Sequence, residues 1–269
     1  MKRVTLSLLA ALLALSGCYT NPVTGRKSLV LLSQGEEVTL GAQSFQAIRE
    51  KEPVSKDPAA IARVNRVGQR IARAVGNELP DAKWEFVVFE SKDANAFALP
   101  GGKVGVYTGL LKLAESDAEL AIVIGHEIGH VTARHGAERM SEAMVMALGG
   151  ALGSAVVEAK TEDPKWKQGF ELAYGGATTI GRVLPHSRAN ESESDRMGAI
   201  YAARAGYDPR AAITFWQKMM AQKQAKAGAG EGALGAMMST HPADEKRIAD
   251  LKALMPQVVP IYEQHRGKP

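Results

Sequence analysis

The sequence predicts an α+β fold that is mainly helical and contains a small β-sheet. In most of the 269-residue chain, apolar residues recur every three to four positions, as they do on amphipathic helices. Over residues 83–90 the period changes to two, with Trp84, Phe86 and Val88 on one face, which is typical of a strand. Aromatic residues make up 6% of the chain and glycines number 27, a composition that favours close-packed helices over an all-β sandwich.

The N-terminus has the features of a secretory signal. Lys2 and Arg3 precede an uncharged run to Leu15 that is too short for a stable membrane span. Ser-Gly and then Cys18 follow, an ending that resembles the lipobox of bacterial lipoproteins, in which cleavage leaves a lipid-modified cysteine at the N-terminus. Cys18 is the single cysteine, so it has no disulfide partner within the chain. The alternative is an ordinary secretory signal with an incidental cysteine.

These features predict a lipoprotein signal peptide over residues 1–17, a lipid-anchored tether over 18–32 and a single domain over 33–269. The residue after the cysteine is Tyr19 rather than aspartate, which in Gram-negative lipoproteins generally implies transfer to the outer membrane. We therefore expect attachment through the N-terminal lipid to the outer membrane of the bacterial cell envelope, facing the periplasm. The formal net charge of +4 gives no indication of a nucleic-acid partner.

Two scaffold helices are predicted first. Ser33 and Glu36 have capping-box spacing and begin a helix that extends to about residue 50. Asp57 is a predicted N-cap followed by proline at the first helical position, and the helix that it begins ends near Gly76. Apolar residues at helical spacing support both predictions.

A β-hairpin is predicted next, because residues 95–99 and 104–108 flank the turn sequence Pro-Gly-Gly-Lys. An edge strand just ahead of a catalytic helix can hold an extended peptide by main-chain hydrogen bonds. The candidate substrate-binding residues on this strand are Asn95, Ala96, Phe97 and Ala98. A purely structural hairpin fits the same spacing equally well.

The next predicted helix, Ser116 to His135, carries His126-Glu127-Ile-Gly-His130. Two histidines four residues apart lie on one face of a helix, so both imidazoles can reach a single metal ion. Glu127 projects close to that metal without necessarily binding it. A zinc hydrolase needs this arrangement: two nitrogen ligands, an open position for water, and a carboxylate to take the proton of that water. A buried helix that carries two histidines by chance is the alternative, so a third ligand is required.

A second predicted helix provides the third ligand. It begins around Glu191 and extends to about Ala205. Glu191 and Asp195 are four residues apart and share a face, whereas Glu193 points away. Glu191 is therefore the candidate third zinc ligand, and Asp195 a candidate acceptor for the outer nitrogen of His126, which would fix the imidazole orientation. Without the histidine motif, Glu191 and Asp195 would indicate only the solvent-exposed acidic first turn of a helix.

Together these motifs resemble the gluzincin metallopeptidases that include CAAX prenyl proteases, HtpX-type heat-shock proteases and periplasmic lipoprotein relatives. The resemblance covers nearly the whole chain after residue 18 and rests on His126–His130, Glu191–Asp195, Asn95–Tyr107, Arg188 and Ser239–Pro242. It implies a zincin-like metalloprotease domain with one zinc ion held by His126, His130 and Glu191. It also implies that Glu127 is the general base and that Asp195 assists.

This sequence departs from the membrane-embedded members of that family in having no predicted transmembrane helices. It also has no tetratricopeptide-like C-terminal extension, which some periplasmic relatives carry. We therefore do not expect prenyl-protein substrates or repeat-mediated partner binding.

His241 is a further candidate near the C-terminus. With Pro242 it is predicted to open the last amphipathic helix, after a flexible loop over Gly228–Gly235. A histidine there is either a cap or surface residue, or a site residue that donates to the oxyanion or occupies the open zinc position in a latent state. Farther upstream, residues 134–157 predict a core helix or a hydrophobic flap.

The sequence thus predicts a zinc metalloendopeptidase that cleaves misfolded or unassembled envelope proteins. Zinc would polarise the scissile carbonyl, and Glu127 would take a proton from water and return it to the leaving amine. The main alternative is a chaperone-like quality-control factor that binds unfolded outer-membrane proteins with little proteolysis. A different zinc hydrolase, such as an amidase, is less consistent with the edge strand. The sequence does not indicate the oligomeric state.

Overall fold

The mainly helical α+β architecture is confirmed in a computed structural model, which describes residues 18–142, 144–145, 187–225, 237, 241 and 244–268. The strands are β1 (Cys18–Thr20), β2 (Lys27–Leu29), β3 (Glu85–Phe89), β4 (Ala96–Leu99) and β5 (Lys103–Tyr107). The helices are α1 (Gln34–Lys51), α2 (Pro58–Val75), α3 (Thr108–Leu113), α4 (Asp117–Thr132), α5 (Arg188–Arg204), α6 (Ala211–Ala225) and α7 (Glu245–His265). Among these helices, none has the length and apolar character that crossing a membrane requires.

Two predicted segments lie largely or wholly outside the described residues. One is the core helix or hydrophobic flap over residues 134–157, of which residue 143 and the residues from 146 on lie outside the description, and the other is the glycine-rich loop over Gly228–Gly235. Both therefore stay predictions.

The chain divides into two compact units. The first unit includes Gly25–Ser33 and residues from Gly136 onward. Within it, Arg26 donates two hydrogen bonds of 2.7 Å to the carboxylate of Glu138, which connects the segment around β2 to the residues after α4. The second unit comprises Pro22–Thr24, Gln34–His135 and Pro185–Pro269. The predicted single domain over residues 33–269 does not coincide with this division and stays a prediction.

Two helix starts follow the predicted caps. The Asp57 side chain accepts a hydrogen bond of 2.9 Å from the Ala59 N–H, and α2 ends where Gly76 adopts φ 56°. At the start of α4, Ser116 and Glu119 form the predicted capping box. Both boundaries are therefore set by side chains within a few residues of the helix end.

The strands β3, β5 and β4 form a sheet in that order, with β3 parallel and β4 antiparallel to β5. The predicted hairpin is confirmed: Gly101 and Gly102 adopt φ 85° and 82° in the turn between β4 and β5, a region that favours glycine. Among the described strands β4 pairs with β5 alone, so β4 is an edge strand. It packs against α4, as its predicted place beside the catalytic helix requires.

Two helices carrying the predicted metal ligands, α4 and α5, pack directly against each other. Glycines allow this close approach, because a Cβ added to Gly198 would lie 2.7 Å from the backbone nitrogen of His126. A Cβ on Gly125 would lie 3.0 Å from the carbonyl oxygen of Gly198. The short distance between the helix backbones brings the ligand side chains of both helices to one point.

The start of the last helix differs from the prediction. Helix α7 begins at Glu245 rather than at His241, because the Asp244 side chain is its N-cap and accepts a hydrogen bond of 2.8 Å from the Arg247 N–H. Its predicted apolar face is confirmed and buried, and consists of Ile248, Leu251 and Leu254. His241 is therefore not part of this helix.

Candidate active site

The two histidines of α4 are buried and face each other. His126 is 1% exposed and His130 is 6% exposed, and their Nε2 atoms lie 3.1 Å apart. Neutral imidazoles have one nitrogen that carries no hydrogen, and two such nitrogens at this distance suit a shared cation. The predicted same-face arrangement is therefore present.

Helix α5 brings Glu191 to the same point. Its Oε2 lies 3.4 Å from His126 Nε2, and its Oε1 lies 3.3 Å from His130 Nε2. Tetrahedral zinc with ligands at 2.0–2.1 Å has donor atoms about 3.3–3.4 Å apart. The spacing of the three donors, 3.1–3.4 Å, fits a zinc ion, as does their nature of two imidazoles and one carboxylate.

His241 is the fourth member of this cluster. It is 4% exposed, and its Nδ1 lies 3.2 Å from His126 Nε2 and 3.1 Å from Glu191 Oε1. One ligand atom from each of the four residues, His126, His130, Glu191 and His241, lies within 4.8 Å of the others. The structure therefore places His241 in the site and not on the surface.

Glu127 lies beside this cluster and is buried. Its Oε1 accepts no hydrogen bond from the described residues, although His241 Nε2 is 3.4 Å away. Burial raises the pKa of Glu127, although the nearby His241 and His126 lower it in part. A carboxylate with a free oxygen and a raised pKa has the properties of a general base.

The predicted support for His126 is present. Asp195 Oδ1 lies 2.9 Å from His126 Nδ1, so the carboxylate can accept the hydrogen of that nitrogen and leave Nε2 free to bind a metal. Burial lowers the pKa of His126, but hydrogen bonds with Asp195 and Glu191 outweigh this effect and raise it to about 9. The surrounding negative charge therefore favours a cation at this position.

The pKa values of Glu191 and Glu127 are shifted in opposite directions. Burial would raise the pKa of Glu191, but hydrogen bonds from the three histidines hold it well below the usual range. Glu191 therefore stays an anion suited to bind a metal, whereas Glu127 takes up a proton more readily. Two carboxylates with such different environments can serve as ligand and base.

Arg247 is a site residue that the sequence did not predict. It is 3% exposed, and its guanidinium donates hydrogen bonds of 2.7 Å to both oxygens of Asp195. Its Nη1 also lies 2.9 Å from Glu191 Oε2, and its Cζ lies 3.9 Å from the centre of the Trp216 ring. Burial lowers the pKa of Arg247, but Asp195 and Glu191 raise it above its usual value, so the group stays charged.

Arg188, in contrast, is outside the site. Its side chain is 88% exposed, and its Nε lies 3.9 Å from a carboxylate oxygen of Asp244. The family resemblance includes Arg188 because it lies shortly before Glu191 in the sequence. Among the described residues, however, Arg188 does not contact the metal cluster.

The family model described as Peptidase family M48 matches residues 58–255, a range that contains every member of the metal cluster. The chain belongs to peptidase family M48. The resemblance to metallopeptidases is thereby confirmed at the level of the family. The buried cluster of three histidines and a glutamate in this M48 protein is compatible with the metal site that the family name implies.

The relatives that the chain matches have names that denote proteases. The chain is 36% identical over 204 residues to mitochondrial metalloendopeptidase OMA1 of Arabidopsis thaliana, covering 72% of this chain and 36% of the relative. For the protein of that name from Schizosaccharomyces pombe the identity is 34% over 197 residues, covering 72% and 52%. It is 30% identical over 248 residues to the beta-barrel assembly-enhancing protease of Escherichia coli K12, covering 91% and 49%. The M48 chain thus spans between a third and about half of these relatives.

The candidate substrate strand of the M48 protein presents its backbone rather than its large side chain. The Phe97 ring packs on Phe45, Phe89 and Tyr107, with ring centres 6.0–6.3 Å apart. Ala96 is buried in the main core, and the Asn95 carbonyl accepts a hydrogen bond from the Tyr107 N–H within the hairpin. Substrate binding by Asn95, Ala96, Phe97 and Ala98 stays a prediction, and its structural basis would be the open edge of β4.

Proposed function

We propose that this M48 protein is a zinc-dependent endopeptidase that hydrolyses misfolded or unassembled proteins of the bacterial cell envelope. The observation that carries the proposal is the buried set of His126, His130 and Glu191, whose donor atoms have the spacing of zinc ligands. We propose that Cys18 bears the lipid that attaches the protein to the periplasmic face of the outer membrane. The name of the Escherichia coli relative, beta-barrel assembly-enhancing protease, supports the proposal that this protein acts in the envelope.

The chemistry follows from the arrangement of the side chains. When bound, zinc supplies a Lewis acid for the scissile carbonyl and lowers the pKa of a water molecule. Glu127 accepts the proton of that water on its free carboxylate oxygen and returns it to the leaving amine. Asp195 holds the imidazole of His126 in the orientation that frees Nε2.

Substrate binding is proposed to use the open edge of β4. An unfolded protein offers extended backbone, which can add to an edge strand by main-chain hydrogen bonds regardless of its side chains. A folded protein has its backbone groups already paired. This geometry supports a preference for misfolded or unassembled substrates.

A test in cells distinguishes proteolysis from a chaperone-like function. In a strain that lacks the protein, the wild type is expected to restore envelope integrity and the clearance of unassembled outer-membrane proteins, whereas Glu127→Gln is expected to fail. If Glu127→Gln restores both as well as the wild type does, the protein acts by binding rather than by hydrolysis. Equal membrane levels of the two proteins are the control.

Replacing His241 with alanine is expected to raise the rate of hydrolysis. The Nδ1 of His241 lies as close to Glu191 and His126 as a fourth metal ligand would, so this side chain takes the position that water needs. If the open form is a minor state of 0.1–10%, the gain is about 10-fold or more. Hydrolysis of an unfolded protein at equal zinc content is the measurement, with the half-buried His265 replaced by alanine as the control.

Two other outcomes would contradict this role of His241. A lower rate in the variant would assign His241 to stabilisation of the transition state. An unchanged rate would show that His241 neither blocks nor assists hydrolysis.

A further inference from the structure

A second chain of buried hydrogen bonds begins at the other histidine of the cluster, His130. The Nδ1 of His130, on the opposite side of the ring from the metal cluster, lies 2.8 Å from Nδ1 of His135. His135 is 0% exposed, and its Nε2 lies 2.9 Å from Oε2 of Glu193, which is itself buried. Thr24 donates a hydrogen bond to the other carboxylate oxygen of Glu193.

The number of donors and acceptors on these groups determines which atom donates in each hydrogen bond of this series. The ionised carboxylate of Glu193 can accept but not donate, so the hydrogen of neutral His135 is on Nε2. Nδ1 of His135 is then an acceptor, and the hydrogen that it accepts comes from Nδ1 of His130. The Ser194 hydroxyl lies farther from that acceptor, at 3.3 Å. His130 consequently has its free electron pair on Nε2, the atom that faces His126 and Glu191.

The backbone is arranged to bring His135 back to this position. After the end of α4, Arg134 adopts φ 59°, a left-handed conformation that is unfavourable for a non-glycine residue. The Arg134 guanidinium is held by Glu37, with Nε 2.8 Å from a carboxylate oxygen. This turn ends the helix and directs the imidazole of His135 at His130 rather than into solvent.

We infer that His135 and Glu193 are positioning residues that fix the tautomer and orientation of His130 for metal binding. They do for His130 what Asp195 does for His126, with a histidine interposed between the ligand and the carboxylate. The inference rests on the proposed ligand set, in which His130 binds the metal through Nε2. Residues that orient metal-binding histidines typically change metal affinity 10- to 100-fold when replaced.

The test is the zinc affinity of the full-length protein, measured by competition with a chromophoric chelator, together with the stability of the metal-free protein. His135→Leu is expected to weaken zinc binding about 10- to 100-fold. His135→Asn, whose side-chain oxygen can lie near the position of Nδ1, is expected to recover most of that affinity. Tyr201→Phe is the matched control, because it removes a buried hydroxyl bonded to Thr132 and Glu78 without touching a proposed ligand.

Each outcome bears on the inference. Loss of stability in His135→Leu with the zinc affinity of the wild type would show that His135 is a packing residue, and would overturn it. If His135→Leu fails to fold, Glu193→Met takes its place, with an expected loss of about 10-fold, and unchanged affinity there overturns the inference. Failure of the wild type itself to bind one zinc ion would instead contradict the proposed ligand set.

Discussion

Replacing Glu127 with glutamine is expected to lower the rate of peptide hydrolysis about 100- to 10,000-fold while the bound zinc is retained. Glutamine has nearly the same volume but cannot take a proton from water. In the structure Glu127 is 5% exposed, and its Oε1 accepts no hydrogen bond from the described residues, so the carboxylate is not engaged as a structural acceptor. Single-turnover cleavage of an unfolded protein, with zinc content determined on the same samples, is the measurement.

The matched control is Glu115→Gln, the same substitution shortly before α4 on a side chain that is 75% exposed. It is expected to leave both turnover and zinc content unchanged. A zinc-loaded Glu127→Gln protein that keeps more than about a tenth of the wild-type rate would be inconsistent with a general base at this position.

Replacing Arg247 with methionine is expected to destabilise the protein by about 3–5 kcal/mol, the range found when one partner of a buried ion pair is removed. Methionine fills a similar volume, so the effect reports on charge. Without the guanidinium, the buried carboxylates of Asp195 and Glu191 would both lose the arginine cation that pairs with them in the metal-free protein. Urea unfolding of metal-free protein gives the free energy directly.

Two further variants make this prediction specific. Arg196→Met changes an exposed arginine of the neighbouring helix and is expected to cost less than about 1 kcal/mol. Arg247→Lys keeps the charge but loses the two parallel hydrogen bonds to Asp195, so it should lie between the wild type and methionine. Equal stability of the two methionine variants would show that Arg247 does not neutralise the site.

Features set by neighbouring residues could be predicted from the sequence. The capping box of Ser116 and Glu119 and the Asp57 cap involve hydrogen bonds within three residues, so the sequence contains both partners. The placement of Glu191 and Asp195 on one face of a helix follows from their spacing of four. Their meeting with His126 was predicted because zinc chemistry requires a third ligand, and the structure brings them together.

Features that depend on distant contacts could not be predicted. Arg247 stands in the first turn of an amphipathic helix, where a charged side chain is usually solvated, and its burial comes from partners on α5. The role of His135 depends on the left-handed turn at Arg134, a residue type that gives no signal for that conformation. The start of α7 was misplaced because His241-Pro242 resembles a helix start, whereas Asp244 provides the side-chain hydrogen bond.

The most direct test of the proposed zinc site is anomalous X-ray diffraction at the zinc absorption edge, from crystals of the Glu127→Gln protein grown with zinc. We expect one strong peak per chain, about 2.0–2.2 Å from Nε2 of His126, Nε2 of His130 and a carboxylate oxygen of Glu191. Absence of a peak among these three residues at full zinc loading, or a zinc ion held by a different set of ligands, would contradict the account.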